Sequence, residues 1–230
     1  MNTRAVLLAG ASGLVGGLVR QQLLAQPQGP RVIAPLRRSL AAPTPRWIEL
    51  VDTLEAPAGD DPLRAPLAAA APVLDAYVCC LGTTLRTAGS RERFLAVDRD
   101  LVLRLAELAR GQGARHAILV SSVGASPQSG NFYLRVKGET ERALGELGFD
   151  RVDMLRPGLL LGDRAESRPA ESVMQAVAPV TNLLMPGALS RYRAIRAETV
   201  AAAAVALLAE RTPGRFVHEH AALQSLAGNR

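Results

Sequence analysis

Lysine is almost absent from this chain. Of 27 basic residues in 230, a single one, Lys137, is lysine, and the rest are arginine. Acidic residues are missing from the first 48 positions, and aromatic side chains make up 3% of the sequence. There are three histidines and two cysteines, the latter adjacent at 79 and 80. Each shortage excludes something. The longest apolar run, Val200 to Ala209, falls short of the roughly 20 residues that cross a bilayer, so no membrane partner is expected. Two neighbouring cysteines inside an apolar stretch do not suggest a structural disulfide and fit a reducing compartment. The opening "MNTRAVLLAGASG" has no signal-peptide form, and the expected location is cytoplasmic. His116, His218 and His220 lack ligand spacing with cysteine or carboxylate, so no metal is expected. The formal charge of +6 is dispersed, without basic runs or interleaved aromatics. That pattern speaks against nucleic acid and suits an anionic small molecule.

What is present alternates. "RAVLLAG" reads as a strand and "LVGGLVRQQLLAQ" as a helix with Leu14, Leu18 and Leu24 on one side. "RVIAPL" and "RWIELV" are further strands, followed by the weak helix "PLRAPLAAAA". "DAYVCCLG" is a continuous apolar run, as in a strand covered on both faces. "RERFLAVDRDLVLRLAELARGQG" is one strong helix ending at Gly111 or Gly113. "HAILVSS", the helix "FYLRVKGETERALGELG" and the strand "DRVDMLRPG" come next. Such alternation means βαβ units: an α/β, Rossmann-type doubly wound parallel sheet with helices on both faces. After Gly158 no clear strand is read until "GRFVHEH", which comes after the helix "ETVAAAAVALLAE". A single domain over residues 1–230 is expected, with 159–230 supplying a small substrate-side segment and a C-terminal helix. A monomer or homodimer is expected.

The turn "LLAGASGLVGGLV" sits where strand one meets helix one. Gly10, Gly13 and Gly16 let a ligand approach the backbone, and a helix N-terminus favours a diphosphate. A carboxylate at the tip of strand two selects NAD through the ribose 2′-hydroxyl. Here none exists, and the strand ends in Arg37 and Arg38, a pair suited to a 2′-phosphate. NADP(H) is therefore the expected cofactor. Asp52, past strand three, is placed to accept from the adenine amino group.

Tyr133 and Lys137, spaced i and i+4, share a helix face. A phenol near pKa 10 is a poor acid–base group at neutral pH, and an adjacent cation favours its ionised form. Ammonium suits that position better than guanidinium, because it is compact and can hold two ribose hydroxyls at once. Ser121 and Ser122 end strand five beside this helix. Alternation allows only one of them into the site, with Ser121 the first choice and the question open.

These features together resemble the short-chain dehydrogenase/reductase superfamily. More narrowly, "LAGASGLVG", "CCLGTT", "VDRD", "SSVGA", "NFYLRVKGE", "LRPGLLLGDR" and "ESRP" resemble the atypical Tat-interacting-protein oxidoreductases. The resemblance covers most of the first 170 residues. It implies cofactor contacts from Ser12, Gly13, Leu14, Val15 and Gly16, and from the loop Leu81, Gly82 and Thr83. It implies Tyr133 as proton donor with Lys137 as partner, and Leu160 and Arg168 closing over the cofactor. "LGTT" departs from the usual Asn-Asn-Ala-Gly loop, and Asp98 stands where many relatives carry an asparagine of the proton relay. The implied activity is hydride transfer from NADPH to a small carbonyl substrate. The alternative is an NADPH-binding regulator without turnover, because members of this group are linked to regulation through protein contacts. Extended sugar-nucleotide epimerases usually need a larger C-terminal domain than these roughly 70 residues.

Overall fold

The computed structural model describes residues 5–42, 44–162 and 187–228. Seven parallel strands form one sheet in the order β3-β2-β1-β4-β5-β6-β9. They are β1 (Ala5–Ala9), β2 (Arg31–Leu36), β3 (Trp47–Val51), β4 (Ala76–Cys79), β5 (His116–Val120), β6 (Arg151–Leu155) and β9 (Gly214–His218). Central strands are buried along their whole length, as their unbroken apolar runs require. Side chains alternate between two cores. Leu7, Tyr77, Leu119 and Met154 face one side, where they meet α2 (Arg64–Ala70), α5 (Val102–Gly111) and α6 (Phe132–Glu146). Leu8, Val78, Ile118 and Leu155 face the other, against α1 (Leu14–Ala25), α7 (Ala197–Leu207) and α8 (His220–Gly228). Fully burying one such leucine or valine is worth about 1.5–3 kcal/mol.

The structure differs from expectation in four places. First, α1 buries Val15, Val19 and Leu23, with Leu14, Leu18 and Leu24 only partly covered. It packs on α7 as well as on the sheet, which turns the deepest stripe by one residue. Its C-terminus has no basic residue of its own, and Arg46 reaches in to donate to the Gln26 and Leu24 carbonyls at 2.7 and 2.5 Å. Second, the long helix before β5 is not uniform. It comprises α4 (Arg91–Leu95), a π-helical stretch Ala96–Leu101, and α5, preceded by the one-turn α3 (Leu85–Ala88). Third, a short parallel pair, β7 (Leu160–Leu161) with β8 (Ile195–Arg196), lies beyond Gly158. A 3₁₀ turn, Gly187–Tyr192, precedes β8. Fourth, a second helix, α8, follows β9 in the C-terminal segment, where the sequence pattern predicts one helix.

Edge strand β9 is fixed through its neighbours. Asp153 of β6 is fully buried and receives His116 Nε2 of β5 at 2.6 Å and His218 Nε2 of β9 at 2.7 Å. Arg151 adds two bonds to the same carboxylate at 2.6 and 2.9 Å. Burial pushes this carboxyl up, and those hydrogen bonds outweigh it, holding it well below the usual carboxylate range.

Candidate functional site

All seven strands run the same way, so their C-terminal ends share one edge. The strand order reverses between β1 and β4, which opens a crevice at that edge. Two loops line it. The first is the glycine turn. Gly10 has φ +80°, and a Cβ there would stand 2.7 Å from the Cys80 carbonyl carbon, so the turn packs backbone to backbone against the second loop. A Cβ on Gly16 would meet the Gly10 carbonyl carbon at 2.7 Å, which keeps α1 tight against the turn. Helix α1 begins at Leu14 with Gly13 as its cap, without a capping side chain and without acid in its first turn. Its first N–H groups therefore point at the crevice with no anion of the protein's own. Ser12 and Gly13 are exposed there, and Leu14 is half-buried.

The second loop, Leu81–Thr84, leaves β4. Gly82 is exposed, and the Thr83 N–H donates to Asp98 Oδ2 at 2.8 Å. Cys79 and Cys80, just before it, are free thiols. Arg37 and Arg38 come directly after β2, exposed, and form no ion pair among the described residues. Asp52 is half-buried, and its Oδ1 accepts from Leu54 N–H at 2.7 Å. It holds a turn in which Leu54 takes φ 62°, a left-handed conformation rare for leucine.

Ser121 and Ser122 separate cleanly. Alternation carries Ser121 to the side of Ala117 and Leu119, beneath α6, and its buried hydroxyl has no hydrogen-bond partner among the described residues. Ser122 is half-exposed and turns toward the Val123 carbonyl at 3.4 Å. A buried hydroxyl without a partner is unusual and marks a place where a ligand group can bond.

Helix α6 carries Tyr133 and Lys137. Asn131 caps it, accepting from Leu134 N–H at 3.2 Å. Tyr133 is half-buried, and Lys137 Nζ lies 6.0 Å from the centroid of its ring. Phe94 is fully buried between Phe132 and Tyr133, with ring centroids 5.8 and 5.7 Å apart. Three of the eight aromatic residues thus stand together, and Phe94 limits rotation of the phenol.

Lys137 has an acidic neighbour as well as the phenol. Lys137 Nζ lies 2.8 Å from Asp98 Oδ1, and both side chains are buried. Burial alone would favour loss of the proton, but the Asp98 carboxylate outweighs it and holds Lys137 above the ordinary lysine value. From sequence, Asp98 stands out only as a departure from relatives. A signal was available: Phe94, Asp98, Leu101, Val102 and Leu105 lie at helical spacing, so Asp98 interrupts an apolar stripe and demands a buried cation.

Past β6, the chain returns over the crevice. A Cβ on Gly162 would touch Leu14 Cδ1 at 3.1 Å, and half-buried Leu160 packs into the core on the α1 side. Arg168 lies outside the described residues.

No family model matches this chain. The rat protein HTATIP2 is 41% identical over 171 residues, covering 74% of this chain and 69% of its own length. The mitochondrial protein fmp52 of Emericella nidulans is 37% identical over 172 residues, covering 73% and 72%. Among solved structures, MoeE5 in complex with UDP-glucose and NAD superposes with TM-score 0.65 at 17% identity, covering 93% of this chain and 74% of its own. Human epimerase family protein SDR39U1 with NADPH gives 0.57 at 18% identity, covering 94% and 74%. The fungal names overturn the expectation of a cytoplasmic location. Its physical basis was too coarse, because free thiols suit any reducing compartment, the mitochondrial matrix included. By these identities the chain belongs to the HTATIP2 and fmp52 family, and its sheet is of the Rossmann type.

Proposed function

We propose that this protein is an NADPH-dependent oxidoreductase acting on a small carbonyl compound. The observation that carries the reading is the pairing of Tyr133 with Lys137 on α6; the unpartnered Ser121 hydroxyl after β5 and the uncapped α1 N-terminus after β1 follow C-terminal strand ends of the same sheet. The residues present fit a nicotinamide dinucleotide. The α1 N-terminus and glycine turn suit its diphosphate, and Arg37 and Arg38 suit a 2′-phosphate with no competing carboxylate. Leu160 and the Leu81–Thr83 loop flank the same crevice. A reduced nicotinamide, when bound, supplies hydride.

The chain's own groups do the rest. Ser121 Oγ donates a hydrogen bond to the substrate oxygen, holding the carbonyl in line. The Tyr133 hydroxyl gives its proton to that oxygen as negative charge develops on it. Phe94, itself packed on Phe132, holds the phenol ring from one side and excludes water there. Lys137 holds ribose hydroxyls with the donors that Asp98 leaves available.

Steady NADPH oxidation against a panel of aldehydes and ketones tests the reading. Turnover should disappear in Tyr133→Phe while NADPH binding remains. Tight NADPH binding with no consumption across the panel would instead support a cofactor-bound regulator.

A further inference from the structure

The only lysine of the chain shares its partner with the neighbouring loop. Asp98 Oδ1 faces Lys137 Nζ at 2.8 Å, while Oδ2 accepts the Thr83 N–H at 2.8 Å. The Asp98 carbonyl also lies 3.2 Å from Thr140 Oγ, whose single hydrogen it shares with the Val136 carbonyl at 2.8 Å. One carboxylate therefore joins α6, the loop after β4 and the π-helical stretch. Gly82 covers the pair: a Cβ there would lie 3.6 Å from Nζ and 3.7 Å from Oδ1. An extra residue in one turn rotates the rest of the helix by roughly 100°, so the π stretch decides which side chain meets α6. Such stretches are rare and concentrate at functional sites. A buried ion pair is not in itself a device for stability, because apolar residues of similar volume do as well.

We propose that Asp98 is a positioning residue for the cofactor: it keeps buried Lys137 charged and ties it to the Leu81–Thr83 loop, so that both engage the ribose as one unit. This rests on the reading of Lys137 as a ribose-binding group. Three hydrogens on Nζ allow one contact to Asp98 and two to vicinal hydroxyls. The titratable groups facing Lys137 are Asp98 from the π stretch, Tyr133 from its own helix and Cys79 from β4.

A single lysine makes the test direct. Labelled at the lysine ε-carbon, the full chain gives one lysine resonance that needs no assignment. In the unmodified protein it should remain that of an ammonium beyond the ordinary value of 10.5. In Asp98→Asn it should titrate lower by about one unit or more. NADPH affinity of Asp98→Asn should fall about tenfold near neutrality, with the deficit widening as pH rises, whereas the parent stays level. The double variant Asp98→Asn/Lys137→Met should bind no more weakly than Lys137→Met alone. Asp98→Glu, which keeps the charge but moves it, should keep the high lysine titration and lose affinity without new pH dependence.

An Asp98→Asn resonance titrating with the parent's overturns the proposal. So does unchanged affinity in that variant, or losses that multiply in the double variant. A parent protein that binds neither NADPH nor NADH sinks the reading beneath it, and the lysine titration still reports separately whether Asp98 holds the charge.

Discussion

Arg156 at the end of β6 grips Glu141 of α6 with both arms of its guanidinium: Nε lies 2.9 Å from Oε1, and Nη2 contacts Oε2. Glu141 is one helical step beyond Lys137 on the face that begins with Tyr133, so this pair sets how α6 sits over the end of the sheet. Arg156→Ala leaves a buried carboxylate without its partner. The expected loss is about 3 kcal/mol in urea unfolding, with a smaller loss in Glu141→Gln. If Arg156→Ala unfolds with the parent, the pair is only a surface contact.

Gly138, beside Lys137, has a different task. A Cβ there would lie 2.5 Å from Ser126 Cα, against backbone that cannot swing away. Gly138→Ala should cost about 2 kcal/mol or more, and lower the thermal midpoint by about 4–8 °C. Gly111, at the end of α5, has nothing within 4 Å of the same position. Its alanine variant should be neutral or stabilising by up to about 1 kcal/mol. Equal behaviour of the two variants would remove the packing argument.

Asp153 sets an acid limit. Its carboxyl is depressed in the folded protein, so its contribution is present above the unfolded value of 3.8 and is lost as pH falls below that. Asp153→Asn should be less stable at neutral pH by about 3 kcal/mol, and its stability should fall less steeply below about pH 4. Parallel acid limbs in chemical denaturation would contradict this.

The two serines predict opposite phenotypes. Ser121→Ala should lower turnover with little effect on NADPH affinity, while Ser122→Ala should leave both near the parent's. Steady-state kinetics decide it, and full activity in both variants removes the hydroxyl from the mechanism.

Selectivity is measured by titrating both cofactors. NADPH should bind far more tightly than NADH. Removing either arginine of the pair Arg37 and Arg38 should cost about 1.5–3 kcal/mol of that preference. Equal affinities in the parent would end the NADP assignment.

The order of strands and helices was legible because a parallel sheet covered on both faces writes each strand as an unbroken apolar run. The glycine turn and Tyr133–Lys137 were legible because their spacing is local. Three features were not. The placement of β9 beside β6 depends on Asp153 and His218, 65 residues apart. Helix α8 is short and mixes polar with apolar residues, so its periodicity is weak. The apolar stripe that Asp98 interrupts signalled a buried cation, but not which one: its partner Lys137 lies on another helix, and Asp98 itself sits in a π-helical stretch. Ser121 was resolved by parity along β5 only once the α6 side of the sheet was known.

The crevice between β1 and β4 also has a history within each folding event. The Ala5 N–H is held by Asp75, 70 residues later, and the two strands pair along Val6–Ala9. Until that distant closure is made, the glycine turn and the Leu81 loop have no common wall, and no nucleotide can recognise either. A ligand of this crevice can therefore meet only the finished molecule. It should slow unfolding in proportion to its occupancy and leave the rate of refolding untouched, a kinetic asymmetry that stopped-flow chevrons with and without nucleotide would display.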